Sequence, residues 1–398
     1  MADGNFGHIT EADERAILDT IDKWIVKKVA PVAMQLEHDN IWPADLVNDM
    51  QELGLFGAII DPEFGGLGLS ATTYSKIVTM IATEWMSLTG IFNSHLMMAT
   101  VVGKFGTQRQ KEYWLPRFAT GELRGGLGLT EPDAGTDLQA IRTVAKRVGD
   151  NYVVNGTKTW ISNAIEGHVV ALLVKTDPDA KPRHKGMSML IVPKIDPDTR
   201  VPLKGISNGK KLEKLGYKGI DSGEFIFEDY ECNAELSLVG GEEGKGFVMA
   251  TGGLEIGRVN IAARSVGIAK RALAESVKYA QMRKTMGKPI CEHQAIQLKL
   301  GEMAAKTRAA ELLTQDAAAA FDRGERIDME AGMAKYFASE TAVEVSLEAM
   351  RIHGGYGYSK EYVIERLYRD APLMCIGEGT NEMQRIIIAK QLVARNPI

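Results

Sequence analysis

Cysteine is scarce: Cys232, Cys291 and Cys375 are odd in number and far apart in 398 residues. They make neither a disulfide framework nor a metal site, and they fit a reducing cytoplasm. Cationic excess is missing as well. A net charge of −5 leaves nothing to meet a phosphate backbone, which argues against a nucleic-acid partner. No apolar run is long enough to span a bilayer; Val169 to Val174 is typical. The start, Met1-Ala2-Asp3-Gly4, lacks the basic and apolar segments of a signal peptide. The chain also lacks a dinucleotide fingerprint, a P-loop, a Gly-x-Ser-x-Gly elbow and any His/Cys/Asp/Glu cluster at metal-ligand spacing. The glycines of Gly240 to Gly246 have neither phosphate-loop spacing nor a strand–helix crossover around them, and read as a linker.

What is present is ordinary globular material, 45% hydrophobic and 25% charged, enough for two or three domains. Residues 10 to 124 read as helical. Ile17, Leu18, Ile21, Trp24, Ile25 and Val29 recur at helical spacing before Pro31. Thr72–Ala82 and Met97–Phe105 repeat the pattern, and His95 beside them reads as structural. From 125 to 240 the texture changes to short alternating runs. Thr143–Val148, Asn151–Val154 and Thr157–Ser162 predict a meander of antiparallel strands, with turns at Gly149-Asp150 and Asn155-Gly156. Val169–Lys175, Met187–Pro193 and Glu224–Glu228 add strands. From 241 to 398 three long apolar-faced helices and a terminal one predict a four-helix bundle.

One stretch stands out for chemistry, Ile376-Gly377-Glu378-Gly379-Thr380-Asn381-Glu382-Met383-Gln384-Arg385. A carboxylate sits between two glycines, where bare backbone lets another molecule approach. Thr380 and Asn381 can each cap a helix, and Gln384 stands at capping-box distance from Asn381. Glu378 is either a charge answering the helix dipole or a general base.

Other junctions are unusually polar. They are Leu129-Thr130-Glu131-Pro132-Asp133-Ala134-Gly135-Thr136-Asp137, Lys158-Thr159-Trp160-Ile161-Ser162-Asn163 and Arg283-Lys284-Thr285-Met286-Gly287-Lys288. Glu292-His293-Gln294, Ile352-His353-Gly354-Gly355-Tyr356-Gly357 and Glu378-Gly379-Thr380 complete the set. In this order the motifs resemble the acyl-CoA dehydrogenase family, from about residue 10 to the C-terminus.

The resemblance implies an N-terminal α-helical domain, a middle antiparallel β domain and a C-terminal four-helix bundle, with FAD as cofactor. Leu127, Leu129, Thr130, Thr136, Trp160 and Ser162 would hold the isoalloxazine. Arg283, Thr285, His293 and Gln294 would hold the pyrophosphate and adenine side. Arg351, Gly354 and Gly355 would reach the flavin of a neighbouring subunit, making a homo-oligomer, most often a tetramer. Thr380 and Glu382 complete the FAD contact. Thr136, Glu255, Arg258, Gly377, Glu378 and Gly379 would meet the acyl-CoA. Glu378 would take the α-proton while flavin N5 takes the β-hydride, and electron-transferring flavoprotein would be the acceptor.

Four positions set against the family pattern bear on detail. Gly257 occupies the bundle-helix position where some members carry the base, which favours Glu378, with Glu255 two residues away. Gly377 replaces the aromatic that usually precedes the base, which predicts room for a branched, cyclic or aryl acyl group. Ser87-Leu88-Thr89-Gly90-Ile91-Phe92 lacks the arginine of glutaryl-type members, which argues against simple glutaryl-CoA. Met286 replaces an aromatic and is expected to pack against the flavin region. The rival readings are an acyl-CoA oxidase, a non-redox flavin lyase and a non-catalytic acyl-CoA/FAD-binding assembly protein.

Overall fold

The computed structural model describes residues 10–252 and 254–398; the Met1–Gly4 stretch and Gly253 lie outside the described residues. The chain begins with helices α1 (Glu11–Trp24), α2 (Ala33–His38), α3 (Ala44–Glu52), α4 (Ala71–Phe105) and α5 (Gln108–Ala119). Strands β1 (Gly125–Gly128), β2 (Val144–Val148), β3 (Asn151–Ser162), β4 (Val169–Lys175), β5 (Met187–Pro193), β6 (Ile206–Asn208) and β7 (Ser222–Asn233) follow. Short helices α6 (Ala234–Ser237) and α7 (Gly246–Gly252) lead to α8 (Leu254–Met282) and a hairpin of β8 (Lys284–Thr285) and β9 (Lys288–Pro289). The chain closes with α9 (Gln294–Asp322), α10 (Asp328–His353), α11 (Ile364–Ile376) and α12 (Asn381–Arg395). This is a helical unit, a sheet and a second helical unit, as the motif order implied.

Local chemistry sets the ends. Thr10 caps α1 in a capping box with Asp13. Helix α4 runs through both predicted segments and breaks at Trp85 (φ −152°, ψ 100°), so the apolar stretch between them is helical too. His95 is fully buried on it. Its Nε2 lies 3.0 Å from the Phe118 carbonyl and its ring sits edge-on to Phe56 and Phe118. Burial pushes its pKa down to about 4, so it is a neutral core residue.

Most ladders of the sheet are antiparallel. The exceptions flank β4, where β1 and β2 pair with it in parallel. Hairpin signals report neighbours in sequence and are blind to such long-range pairings. β4 and β5 are buried on both faces, which is why they read as nearly continuous apolar runs, interrupted only by Ser188 and ended by Lys175. Ala171, Leu173, Met189 and Ile191 face the helices, while Val170, Leu172, Leu190 and Val192 pack with Tyr152, Phe225 and Tyr230 on the other side.

The Asn155-Gly156 turn does not form. β3 continues through it with a shift of register against β7 between Val154 and Gly156. Gly156 is required for a different reason: a Cβ there would stand 2.5 Å from Thr143 Oγ1. The dipeptide makes a bulge that lets the Thr143 segment come close.

Candidate active site

The Glu378 turn lies where α11 ends and α12 begins. Thr380 is the N-cap, accepting from the Met383 N–H, and Asn381 is already inside the helix. Gln384 therefore does not close a capping box. It is fully buried and donates from Nε2 to the carbonyls of Glu378 (3.2 Å) and Gly379 (3.0 Å), pinning the turn from beneath. Asn381 Oδ1 accepts from Lys335 Nζ at 2.7 Å, and Lys335 also donates to the Cys375 carbonyl at 3.1 Å. Lys335 is fully buried on α10, and burial pushes its pKa down to about 8. Motif reading passed it over. Its signal was a lysine within the Ala331-Ala334-Ala338-Ala342 stripe of a buried helix face.

Held this way, Glu378 adopts φ +54°, which a non-glycine residue takes only when its surroundings impose it. The side chain is partly buried among cations. Burial raises its pKa above the usual carboxylate value, and Arg264, Arg258 and Lys335, in that order, oppose the rise. Oε2 lies 3.3 Å from where a Cβ on Gly257 would stand, so the base faces a bare spot on α8. Arg258, buried on the next position of α8, is within electrostatic reach of Glu378. Glu255 is two positions before Gly257, about 200° around the helix. The charges acting on it are Lys104, Asp328 and Arg258, which sets it apart from the base. Among the described residues nothing accepts a hydrogen bond from the Glu378 N–H. Gly377 has an ordinary φ of −66°, and a Cβ there would meet only the Leu373 carbonyl at 3.5 Å. Glycine is forced at that position neither by its backbone nor by a neighbour at Cβ distance.

The sheet presents a second group. Lys158 is fully buried and ion-paired to Glu131 at 2.8 Å, with a further bond to the Leu129 carbonyl at 3.0 Å. Glu131 also accepts from the N–H groups of Arg142 and Thr143. Burial alone would raise the Glu131 pKa, but Lys158 and these donors outweigh it and hold it low; burial takes Lys158 down to about 8. The pair fixes the loop that carries Leu129, Thr130 and Thr136. Leu127, Leu129 and Thr130 are half-buried and Thr136 is exposed. Trp160 (φ +61°) sits at a second β3 irregularity and is 59% exposed, so its indole is an open stacking face and not a core filler; Ser162 beyond it is half-buried.

A third group lines a cavity of about 810 Å³: Arg283, Thr285, His293, Gly354 and Gly355, backed by Tyr279. Thr285 Oγ1 and His293 Nε2 are 2.9 Å apart. Gly354 ends α10 at φ +60°. Gln294 and Arg351 are exposed beside this cavity and do not line it; Arg351 pairs with Glu348. Met286 is 95% exposed at the hairpin tip and borders the same cavity, the region in which it was expected. Thr380 and Glu382 stand apart on the first turn of α12. A cavity with cations, hydroxyls and bare glycine backbone suits the phosphate and adenine end of a dinucleotide, and the exposed Trp160 suits a flat ring. The residues fit FAD.

Family models match along the chain in order: acyl-CoA dehydrogenase N-terminal domain at residues 11–122, middle domain at 126–230 and C-terminal domain at 244–393. The chain belongs to the acyl-CoA dehydrogenase family. It is similar to a 3-(aryl)acrylate reductase of Clostridium sporogenes, 38% identical over 92% of this chain and 95% of the relative. It is also similar to an acryloyl-CoA reductase (NADH) of Anaerotignum propionicum, 39% identical over 92% of this chain and 91% of the relative. Among solved structures, one from work on the electron transferring flavoprotein of Acidaminococcus fermentans superposes with a TM-score of 0.91. It is 35% identical and covers 97% of this chain and 99% of that one. As an acyl-CoA dehydrogenase family member, the protein is a FAD-dependent oxidoreductase acting on the CH–CH bond of acyl-CoA. No helix among the described residues is long and apolar enough to cross a membrane.

Proposed function

We propose that the protein dehydrogenates an acyl-CoA thioester to the trans-2-enoyl-CoA, with Glu378 as the base that removes the α-proton. The observation that carries this reading is the position of Glu378. Its pKa is raised by burial, it is locked in a strained turn by Gln384, and it faces the bare backbone of Gly257. A positioned carboxylate with a raised pKa is matched to a weakly acidic C–H. The uncommitted Glu378 N–H can donate to the thioester carbonyl and stabilise the charge that develops there. Bound FAD supplies the two-electron acceptor for the β-hydride. Arg258 beside the base can meet the CoA ester, and the space left at Gly377 admits a branched, cyclic or aryl acyl group.

The Lys158–Glu131 pair would set the loop of Leu127–Thr136 and Trp160–Ser162 against the isoalloxazine. Arg283, Thr285 and His293 share one cavity with Gly354 and Gly355, so all five would serve a single ligand. Residues of this set reaching the cofactor of a neighbouring subunit would make the enzyme a homo-oligomer, a tetramer in our reading. Electron-transferring flavoprotein is the proposed acceptor, in line with the flavoprotein named for the similar Acidaminococcus structure. The free thiols fit a cytoplasmic setting. We place the domain boundaries near residues 125 and 241.

The relatives named as reductases favour a second reading, the same chemistry run towards saturation with Glu378 returning the α-proton. Anaerobic addition of acyl-CoAs to FAD-loaded protein tests the first. Bleaching of the flavin absorbance by one class is the expected result. FAD-loaded protein that no acyl-CoA bleaches, but that is reoxidised from its reduced form by an enoyl-CoA, would move the assignment to the second.

A further inference from the structure

Two helices form the floor beneath Glu378, and their residues match in steps. On α8, Gly257 faces the base; on α4, Met97 reaches within 2.9 Å of the same spot. Asn260 follows on α8, donating to Tyr74 Oη at 2.9 Å, and Tyr74 in turn donates to Asn93 of α4 at 3.1 Å. Arg264 is next on α8. Its Nη2 donates to the Thr89 carbonyl of α4 (3.2 Å) and its Nη1 to Tyr217 Oη (3.3 Å). Tyr217 Oη fits there because residue 90 is glycine: a Cβ would be 1.6 Å from it. Gly257 and Arg264 are seven residues apart. They lie on one face of α8, about 10.5 Å along its axis. Met97 and Gly90 are also seven apart, running the other way. Glu378 therefore stands over one end of this face of α8, and the Arg264 guanidinium lies about two turns along it, held at Thr89 and Tyr217.

Arg264 is only 3% exposed, yet among the described residues it forms no ion pair, and its Nε has no partner. Asn260 Oδ1, fully buried between, is also unpartnered. Two half-buried arginines are ion-paired, Arg369 with Glu37 and Glu365 and Arg271 with Glu84 and Glu275. Among the described residues Arg258 and Arg366 share the unpaired state of Arg264, but Arg258 stands next to Gly257 at the base and Arg366 lies on α11, bonded to the Glu84 carbonyl. A buried guanidinium with two long bonds to neutral oxygens and a free donor is the donor set for a carboxylate. Proton abstraction does not need it as a partner. It also removes the anion nearest in effect, because Glu378 becomes neutral when it takes the α-proton.

We propose that Arg264, with Tyr217, binds a second carboxylate at the far end of the acyl group, so that the substrate is the monothioester of a short dicarboxylic acid. This rests on the dehydrogenase reading of Glu378. The Ser87–Phe92 stretch carries no cation of its own, and α8 brings one to it through the Arg264–Thr89 bond. The sequence expectation against a glutaryl-type substrate rested on the Ser87–Phe92 stretch alone, and the proposal turns on Arg264 of α8 instead. Arg264 is a specificity-determining residue here.

The test compares succinyl-, glutaryl- and adipyl-CoA with butyryl-, valeryl- and hexanoyl-CoA, and with the methyl ester of glutaryl-CoA, by anaerobic flavin bleaching on the FAD-loaded wild type. A carboxylated chain should be favoured by about a hundredfold or more in bleaching rate over its plain and esterified counterparts. Arg264→Met should reverse that ratio, and Arg264→Lys should keep part of it. Calorimetric binding of redox-inert 3-thia analogues of glutaryl- and valeryl-CoA gives a readout independent of turnover. The carboxylated analogue should bind tighter to wild type and lose that advantage in Arg264→Met. Wild-type preference for plain chains would overturn this proposal and leave the dehydrogenase reading intact. Bleaching by neither class would overturn this proposal, and would overturn the dehydrogenase reading too if branched, cyclic and aryl acyl-CoAs also leave the flavin oxidised.

Discussion

The turn at Glu378 and the turn at Gly354 both place glycine backbone beside a cation, but they are finished differently. At Glu378 the chain supplies its own partners: Gln384 beneath the carbonyls, Lys335 and Asn381 behind. At Gly354 the side chains of Arg283 and Thr285 are exposed around a cavity, and the hairpin tip at Met286 stands clear of its own chain. The difference follows from the job. A base must keep one geometry and one pKa through each turnover, so its supports are buried and bonded to the turn. A cofactor site must admit a large ligand, so its polar groups wait for it.

The largest effect that would test this contrast is Glu378→Gln. It should keep bound FAD and lose turnover by about 10³-fold or more, the scale of a positioned general base. Turnover near normal would remove Glu378 from its role. Lys158→Met should cost about 3–5 kcal/mol in denaturant unfolding, because it strands the buried Glu131 carboxylate. The pKa of Glu131 is lowered in the fold, so its stabilising contribution is complete above the unfolded pKa and is lost as pH falls through the lower folded value. A flat acid limb in wild-type stability between those values would count against the pair. Arg283→Ala should do the reverse of Glu378→Gln. Affinity for FAD should fall by about 10- to 100-fold, the worth of a charged hydrogen bond, while turnover of the fully loaded enzyme changes little. Adding Gly257→Glu to Glu378→Gln should restore activity by about tenfold, since the new carboxylate starts from the spot that the old one faced. The smallest effect concerns pH. The proton-accepting form of Glu378 fills as pH rises through its raised pKa, so the rate of flavin bleaching climbs with pH on its acid side. Arg264→Met removes the foremost cation opposing that rise and should move the limb upward by about one unit or less.

Much of this was legible in the sequence because the signals were local. Glu378 between two glycines and the Lys158–Ser162 and Arg283–Lys288 junctions all announce themselves within a few residues, whereas Gly257 was marked only by the family resemblance. What was hidden depended on partners distant in the chain. Asn155-Gly156 signals backbone freedom, but only the approach of Thr143 decides that the freedom makes a bulge and not a turn. Gln384 has capping-box spacing, but Thr380 takes the cap and leaves Gln384 free to hold the loop. Lys335, Asn260 and Arg264 lie on buried faces of Ala-rich helices. There periodicity marks burial without saying which neighbours will satisfy a polar group.

The most direct measurement separates the proton from the hydride. FAD-loaded enzyme is mixed in D₂O with a redox-inert 3-thia acyl-CoA, and loss of the α-proton signal is followed by NMR. Wild type should exchange the α-protons with solvent, and Glu378→Gln, with equal FAD content, should not. Equal exchange by the two proteins would contradict the assignment of Glu378 as the base.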